Sequence, residues 1–205
     1  MRAIVRKGFG GPEQLVIQER PDPEPKPGYV IIEVKAFGIN HAETYMRKGE
    51  SKFTAEIAEI SGIECVGLVT SCPDGQFTVG SKVAALMGGM GRSINGSYAE
   101  YTRIPATNVV RIESELSWAE LAVIPESYAT AWTCLHRNLE LTGGQTLVIR
   151  GATSALGQAA LNIAAHDGAH VIATTRRKER FQKLEALGAQ RVEIESPDLS
   201  DRIPD

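Results

Sequence analysis

Seven consecutive residues, Gly151-Ala152-Thr153-Ser154-Ala155-Leu156-Gly157, combine small side chains with a spacing that suits a phosphate-binding turn. Such a turn asks for small residues at three places: a tight bend, a close backbone approach to a pyrophosphate, and a close helix-to-strand contact. Ala152, Ser154 and Gly157 fill them, giving A-x-S-x-x-G where G-x-G-x-x-G is usual. A small-residue turn serving packing alone is the alternative. Context favours the nucleotide, because an apolar strand precedes the turn, a second strand follows, and the helix between them starts with N–H groups free to meet an anion. Ala152, Thr153, Ser154, Ala155, Leu156 and Gly157 are therefore candidate dinucleotide contacts. Further on, Thr174-Thr175-Arg176-Arg177-Lys178 ends the second strand, with no carboxylate before Glu179. An acidic residue there would bond the ribose 2′-hydroxyl of NAD, whereas cations suit the 2′-phosphate of NADP. Thr175, Arg176, Arg177 and Lys178 thus point to NADP(H). The same run could be a solvated helix start, although cations there oppose the helix dipole.

Other reactive side chains point to less. Cys65, Cys72 and Cys134 are odd in number and widely spaced, with no C-x-x-C pair, and read as reduced thiols of an intracellular protein. His166 and His170 have i,i+4 spacing, but Gly168 ends the helix between them, so they share no face. His41 and His136 are isolated. No metal site is expected.

The elements that must hold these residues change character along the chain. Up to about residue 120 the pattern is β-rich. Tyr29 to Ala36 is a β-branched run behind Pro21, Pro23, Pro25 and Pro27, and Ile63 to Ser71 and Lys82 to Leu86 are short strands separated by the turn Pro73-Asp74-Gly75. Gly88 to Gly96 holds four glycines and is expected to be a flexible loop leading into a strand over Ser97 to Tyr101. After Ser117 come helices over Trp118 to Val123 and Tyr128 to Leu139, then a strand over Gln145 to Arg150 and a helix over Ala155 to His166. A strand over His170 to Thr174, a helix over Lys178 to Leu187 and a strand over Arg191 to Ile194 follow. The expected class is α/β: a partly open β-barrel domain over 1–123, then over 124–205 the first half of a Rossmann doubly wound parallel sheet. The 205 residues carry a net charge of −3, which weighs against a nucleic-acid partner. No run approaches the length of a membrane span, so a soluble, cytoplasmic protein is expected.

At Gly38 to Gly49 (GINHAETYMRKG) the chain resembles the G-[IV]-N-x-x-[DE]-x-Y-x-R-x-G segment of zinc-free quinone oxidoreductases, in the medium-chain dehydrogenase/reductase superfamily. Gly62 and Glu64 before Gly67, Val79-Gly80-Ser81-Lys82-Val83, Gly96 to Tyr101, and Thr130-Ala131-Trp132 match the family's later motifs in order. The resemblance implies a GroES-like front domain, a partial Rossmann back domain that binds NADP(H), and in the full-length family form a homodimer. It implies hydride transfer from NADPH to a quinone or α,β-unsaturated carbonyl, a small-molecule substrate, with Asn40 and Tyr45 bonding the carbonyl and Thr130 beside the nicotinamide. Alternatively Asn40 caps a helix, Tyr45 packs, and Thr130 is a helix-interior residue. Zinc-dependent relatives have Cys and His where this chain has Asn40 and Ile63, and no cysteine cluster stands near Gly88 to Arg92, so zinc is not expected. An enoyl-thioester reductase, or a non-catalytic nucleotide- or RNA-binding protein, are the competing readings. Because the family continues with a second half of the nucleotide domain, these 205 residues are expected to be part of a longer chain.

Overall fold

The computed structural model describes residues 1–50 and 57–203, which fall into two compact units, Met1–Glu126 and Ser127–Asp205. In the first, β1 (Arg2–Arg6) and β2 (Leu15–Glu19) form an antiparallel ribbon. Five further strands follow: β3 (Tyr29–Ala36), β4 (Glu64–Ser71), β5 (Lys82–Leu86), β6 (Tyr101–Pro105) and β7 (Val109–Arg111). They make one antiparallel sheet in the order β6-β3-β4-β5-β7, an open half-barrel. Val30 and Ile32 of β3 enter its core with Cys65 and Val69 of β4, Val83 of β5 and Ile104 of β6, all almost fully buried. The register pairs Ile32 with Val69 on one side and with Thr102 on the other. Side-chain alternation then carries Glu64 and Cys65 to opposite faces at the start of β4.

Cys65 is entirely buried, and desolvation pushes its thiol up to about 12. The thiolate is the nucleophile, so this thiol is inert at ordinary pH. Iodoacetamide at pH 8 is expected to label Cys72 and Cys134 well before Cys65 in the native chain, as read by peptide mass spectrometry. Equal rates would mean that the β3–β4 core opens freely.

Two sequence expectations are corrected here. The segment from Gly88 to Gly96 is a packed turn: Met90 is fully buried in the core, and the chain is fixed by bonds from Ile94 N–H to Gly89 O (3.0 Å) and Gly96 N–H to Ile60 O (2.8 Å). Ser97 and Tyr98 lie outside any strand. Their side chains are used in buried hydrogen bonds, and the ladder starts only at Tyr101.

The second unit is a three-stranded parallel sheet in the order β10-β9-β8, made of β8 (Thr146–Ile149), β9 (His170–Thr175) and β10 (Arg191–Ile194). Before it come α1 (His41–Lys48), α2 (Trp118–Ala122) and α3 (Pro125–Trp132). Between and after its strands come α4 (Ala155–His166), α5 (Phe181–Ala186) and α6 (Leu199–Arg202). Val171 and Ala173 of β9 pack with Leu161 and Ala164 of α4 and Leu184 of α5, all fully buried, so the middle strand is apolar from Val171 to Ala173 and turns polar only at its ends. The helix expected over Tyr128 to Leu139 is α3 followed by a wider π-helical stretch, Thr133–Asn138, closed by Leu139 N–H on Cys134 O at 3.0 Å. There His136 stacks on Trp132 and bonds Asp167 at 2.9 Å. That tertiary contact has no signature in helical periodicity.

Candidate functional site

In the second unit the chain leaves β8 at Arg150 and bends at Gly151, whose φ of 63° is left-handed and suits a residue without a side chain. The tight bend thus falls one residue before Ala152, where the sequence pattern places it. Gly151 N–H donates to Thr174 Oγ1 (3.1 Å) and Ala152 N–H to Thr174 O (3.0 Å), tying the turn to β9. Ser154 caps α4, its Oγ accepting from Gly157 N–H at 3.0 Å. A Cβ on Gly157 would lie 2.7 Å from Ala152 Cα, so the helix sits directly on the turn. Ala152 is fully buried in that contact, while Thr153, Ser154, Ala155 and Leu156 are exposed.

A cleft of about 630 Å³ opens beside this turn, lined by Arg150, Gly151, Thr153, Ser154, Thr175, Arg176 and Glu195. A second, of about 310 Å³, shares Thr153, Thr175 and Arg176 and adds Arg177 and Arg180. The turn and the basic run are therefore brought together, with Thr175 Oγ1 accepting from Arg177 N–H (3.3 Å). Lys178 opens the 3₁₀ turn Lys178–Arg180 and lines neither cleft. Thr130 is half-buried on α3 and is likewise outside the residues lining them.

Arg150, Arg180 and Glu195 also line these clefts and were not among the residues the motifs pointed to. Two of them follow the last residues of parallel strands, where ligands of such sheets bind, and that rule alone could have flagged them. Glu195 accepts from Arg150 Nε (2.7 Å) and Nη2 and from the Thr174 hydroxyl. Arg150, then Thr174, holds its carboxyl below the ordinary glutamate range.

The first unit holds a buried polar cluster. Asn40, just before α1, gives its backbone N–H to Glu43 Oε2 (2.8 Å) and its side-chain Nδ2 to Glu64 Oε1 (2.7 Å). The other Glu64 oxygen accepts from Glu126 N–H (2.8 Å), and Tyr98 Oη donates to Glu43 Oε2 (2.7 Å). Glu43 is 5% and Glu64 3% exposed. Desolvation pushes both carboxyls up, opposed at Glu64 chiefly by the Asn40 amide and at Glu43 by the Asn40 backbone and Tyr98. Burial and Glu43 push the Tyr98 phenol up as well. Tyr45 is not part of the cluster: it is 47% exposed and meets His41 edge-on at 5.1 Å. Asn40 is the N-cap of α1 in a capping box with Glu43, and the cluster's chemical capacity is an amide held by a carboxylate through one committed N–H.

The donor set does not suit zinc. Ile63 is buried and apolar, the Asn40 amide is engaged as a donor, and no three His, Cys, Asp or Glu side chains converge among the described residues. No helix among the described residues is long and apolar enough to cross a membrane.

Residues 26–114 match the model of the alcohol dehydrogenase GroES-like domain. The chain is 30% identical over 161 residues to a mouse synaptic vesicle membrane protein VAT-1 homolog-like, covering 78% of this chain and 37% of that one. It is 30% identical over 197 residues to the quinone oxidoreductase of Lama guanicoe, covering 94% and 58%. A solved NAD-dependent alcohol dehydrogenase superimposes with TM-score 0.89 at 31% identity over 97% of this chain and 65% of that one. The chain therefore spans less than two thirds of each of these relatives.

Proposed function

Since the chain belongs to the medium-chain dehydrogenase/reductase superfamily, we propose that it is part of a zinc-independent oxidoreductase that uses NADPH to reduce a quinone or an α,β-unsaturated carbonyl. The observation that carries the cofactor half is the joining of the Ser154-capped turn to the Thr175–Arg176 rim in one cleft. Residues 124–205 are the cofactor domain in this reading, and residues 1–123 the substrate domain. A bound nicotinamide would supply the hydride.

The chain's own residues hold and orient. The N–H groups opening α4 and the Thr153 and Ser154 hydroxyls would hold the pyrophosphate, and Thr175, Arg176 and Arg177 would take the 2′-phosphate. Thr130 would support the nicotinamide ring. Asn40 and Tyr45 donate to the substrate carbonyl oxygen, where negative charge grows as the hydride arrives, and Glu64 keeps the Asn40 amide from rotating. Ile63 and the engaged Asn40 support a reaction without zinc.

The test is NADPH and NADH oxidation followed at 340 nm with 1,4-benzoquinone, an enone and an enoyl thioester. Turnover with NADPH and the quinone or enone is expected, undiminished by a zinc chelator. Selective use of the enoyl thioester would instead favour the enoyl-thioester reductase reading. NADPH binding with none of the three reduced would overturn the enzyme reading.

A further inference from the structure

Glu195 is the only carboxylate among the described residues lining either cleft, which otherwise present arginines, threonines and a serine. A free carboxylate there would work against a phosphate and, like the acidic residue of NAD-binding sheets, would offer a partner to a ribose hydroxyl. It is not free. Both of its oxygens are engaged, Oε1 by Arg150 and Oε2 by the Thr174 hydroxyl, while Arg176 adds attraction from the same cleft. Thr174 in turn accepts from Gly151 N–H, so the carboxylate, the end of β9 and the phosphate turn form one chain of hydrogen bonds.

Arg150 stands apart from that chain in one respect. Its side chain is 75% exposed and Glu195 is 20% exposed, so the arginine can be removed without opening a core. We propose that Arg150 is a specificity-determining residue: by occupying Glu195 it turns a carboxylate-bearing cleft into one that accepts a 2′-phosphorylated dinucleotide. This rests on the reading above that the cleft takes a nicotinamide dinucleotide.

The experiment measures dissociation constants for NADPH and NADH separately, by calorimetry on the whole chain, for the unaltered protein, Arg150→Gln and Arg150→Gln/Glu195→Gln. Circular dichroism confirms that each is folded. Arg150→Gln is expected to weaken NADPH by about tenfold, the scale of one unscreened charge at cleft distance, while leaving NADH unchanged or tighter. The double variant, lacking the exposed carboxylate, is expected to recover most of the NADPH affinity. Equal weakening of both dinucleotides in Arg150→Gln, or no recovery in the double variant, overturns the proposal even where the unaltered protein binds NADPH well. An unaltered chain that binds neither dinucleotide overturns the cofactor reading itself and this proposal with it.

Discussion

Gly157→Val is expected to abolish dinucleotide binding, raising the dissociation constant by about a hundredfold or more and lowering the melting temperature of the chain. A Cβ at this position would stand 2.7 Å from both Ala152 Cα and Gly151 O and 2.9 Å from Ala152 C. These are backbone atoms, so no side-chain rotation relieves the clash. Either α4 lifts away, and Ser154 Oγ loses Gly157 N–H, or the turn shifts and breaks the bonds of Gly151 and Ala152 to Thr174. Both routes spoil the N–H cradle. Overpacking of this kind costs about 1–3 kcal/mol before the lost hydrogen bonds are counted. Gly157→Ala should fall between, since it adds the same Cβ without the branch. Calorimetry with NADPH and thermal unfolding provide the check, and a valine variant that binds as tightly as the parent would refute the close-approach argument.

The second large effect is at Asn40. Asn40→Ala is expected to lower kcat by about a hundredfold with little change in KM, as when one donor to a developing oxyanion is removed. The residue upstream of that effect is Glu64. Its carboxylate accepts from Asn40 Nδ2, and protonation withdraws that acceptor. Burial pushes the Glu64 carboxyl up, so the acid limb of kcat should lie above the ordinary glutamate range, and Glu64→Gln should flatten it. Stability runs the other way. A carboxyl whose folded pKa is raised contributes to stability below its unfolded pKa, and that contribution is lost as pH rises through the folded value. Glu43 has the same sign. The melting temperature should therefore drift down over the interval in which turnover rises, with less drift in Glu64→Gln. Activity and stability moving together through that interval would sink the assignment.

The second unit was the more legible in the sequence. Its strands are short apolar runs punctuated by glycine, and Arg191–Ile194 and the helix Ala155–His166 fall where periodicity puts them. In the first unit Tyr29–Ala36 and Lys82–Leu86 were equally plain, as short, largely apolar runs set off by proline or glycine turns. β1, β2 and β7 were not: β1 and β2 find their ladder only in each other, and β7 is placed by its pairing with β5. The glycines of 88–96 misled for a related reason: composition alone does not separate a loose loop from one whose Met90 is drawn into a core. At the candidate sites, motifs pointed to Ser154, Gly157, Arg176 and Asn40. Glu43, Glu64, Tyr98, Arg150 and Glu195 act through partners tens of residues away, and no local pattern announces such pairs.

The two oxygens of Glu64 have different histories as the chain is made. Oε1 finds its donor in Asn40, already synthesised, but Oε2 waits for the N–H of Glu126, the last residue of the first unit. Likewise β3 exposes one edge until Tyr101–Pro105 emerges. Because long-range pairings form late and domains fold as units during synthesis, the half-barrel gains the last of these partners only when Glu126 has left the ribosome. Arrest before that residue would strand a buried acid one donor short, on a sheet otherwise complete. A nascent chain released there would carry that uncompensated acid into quality control.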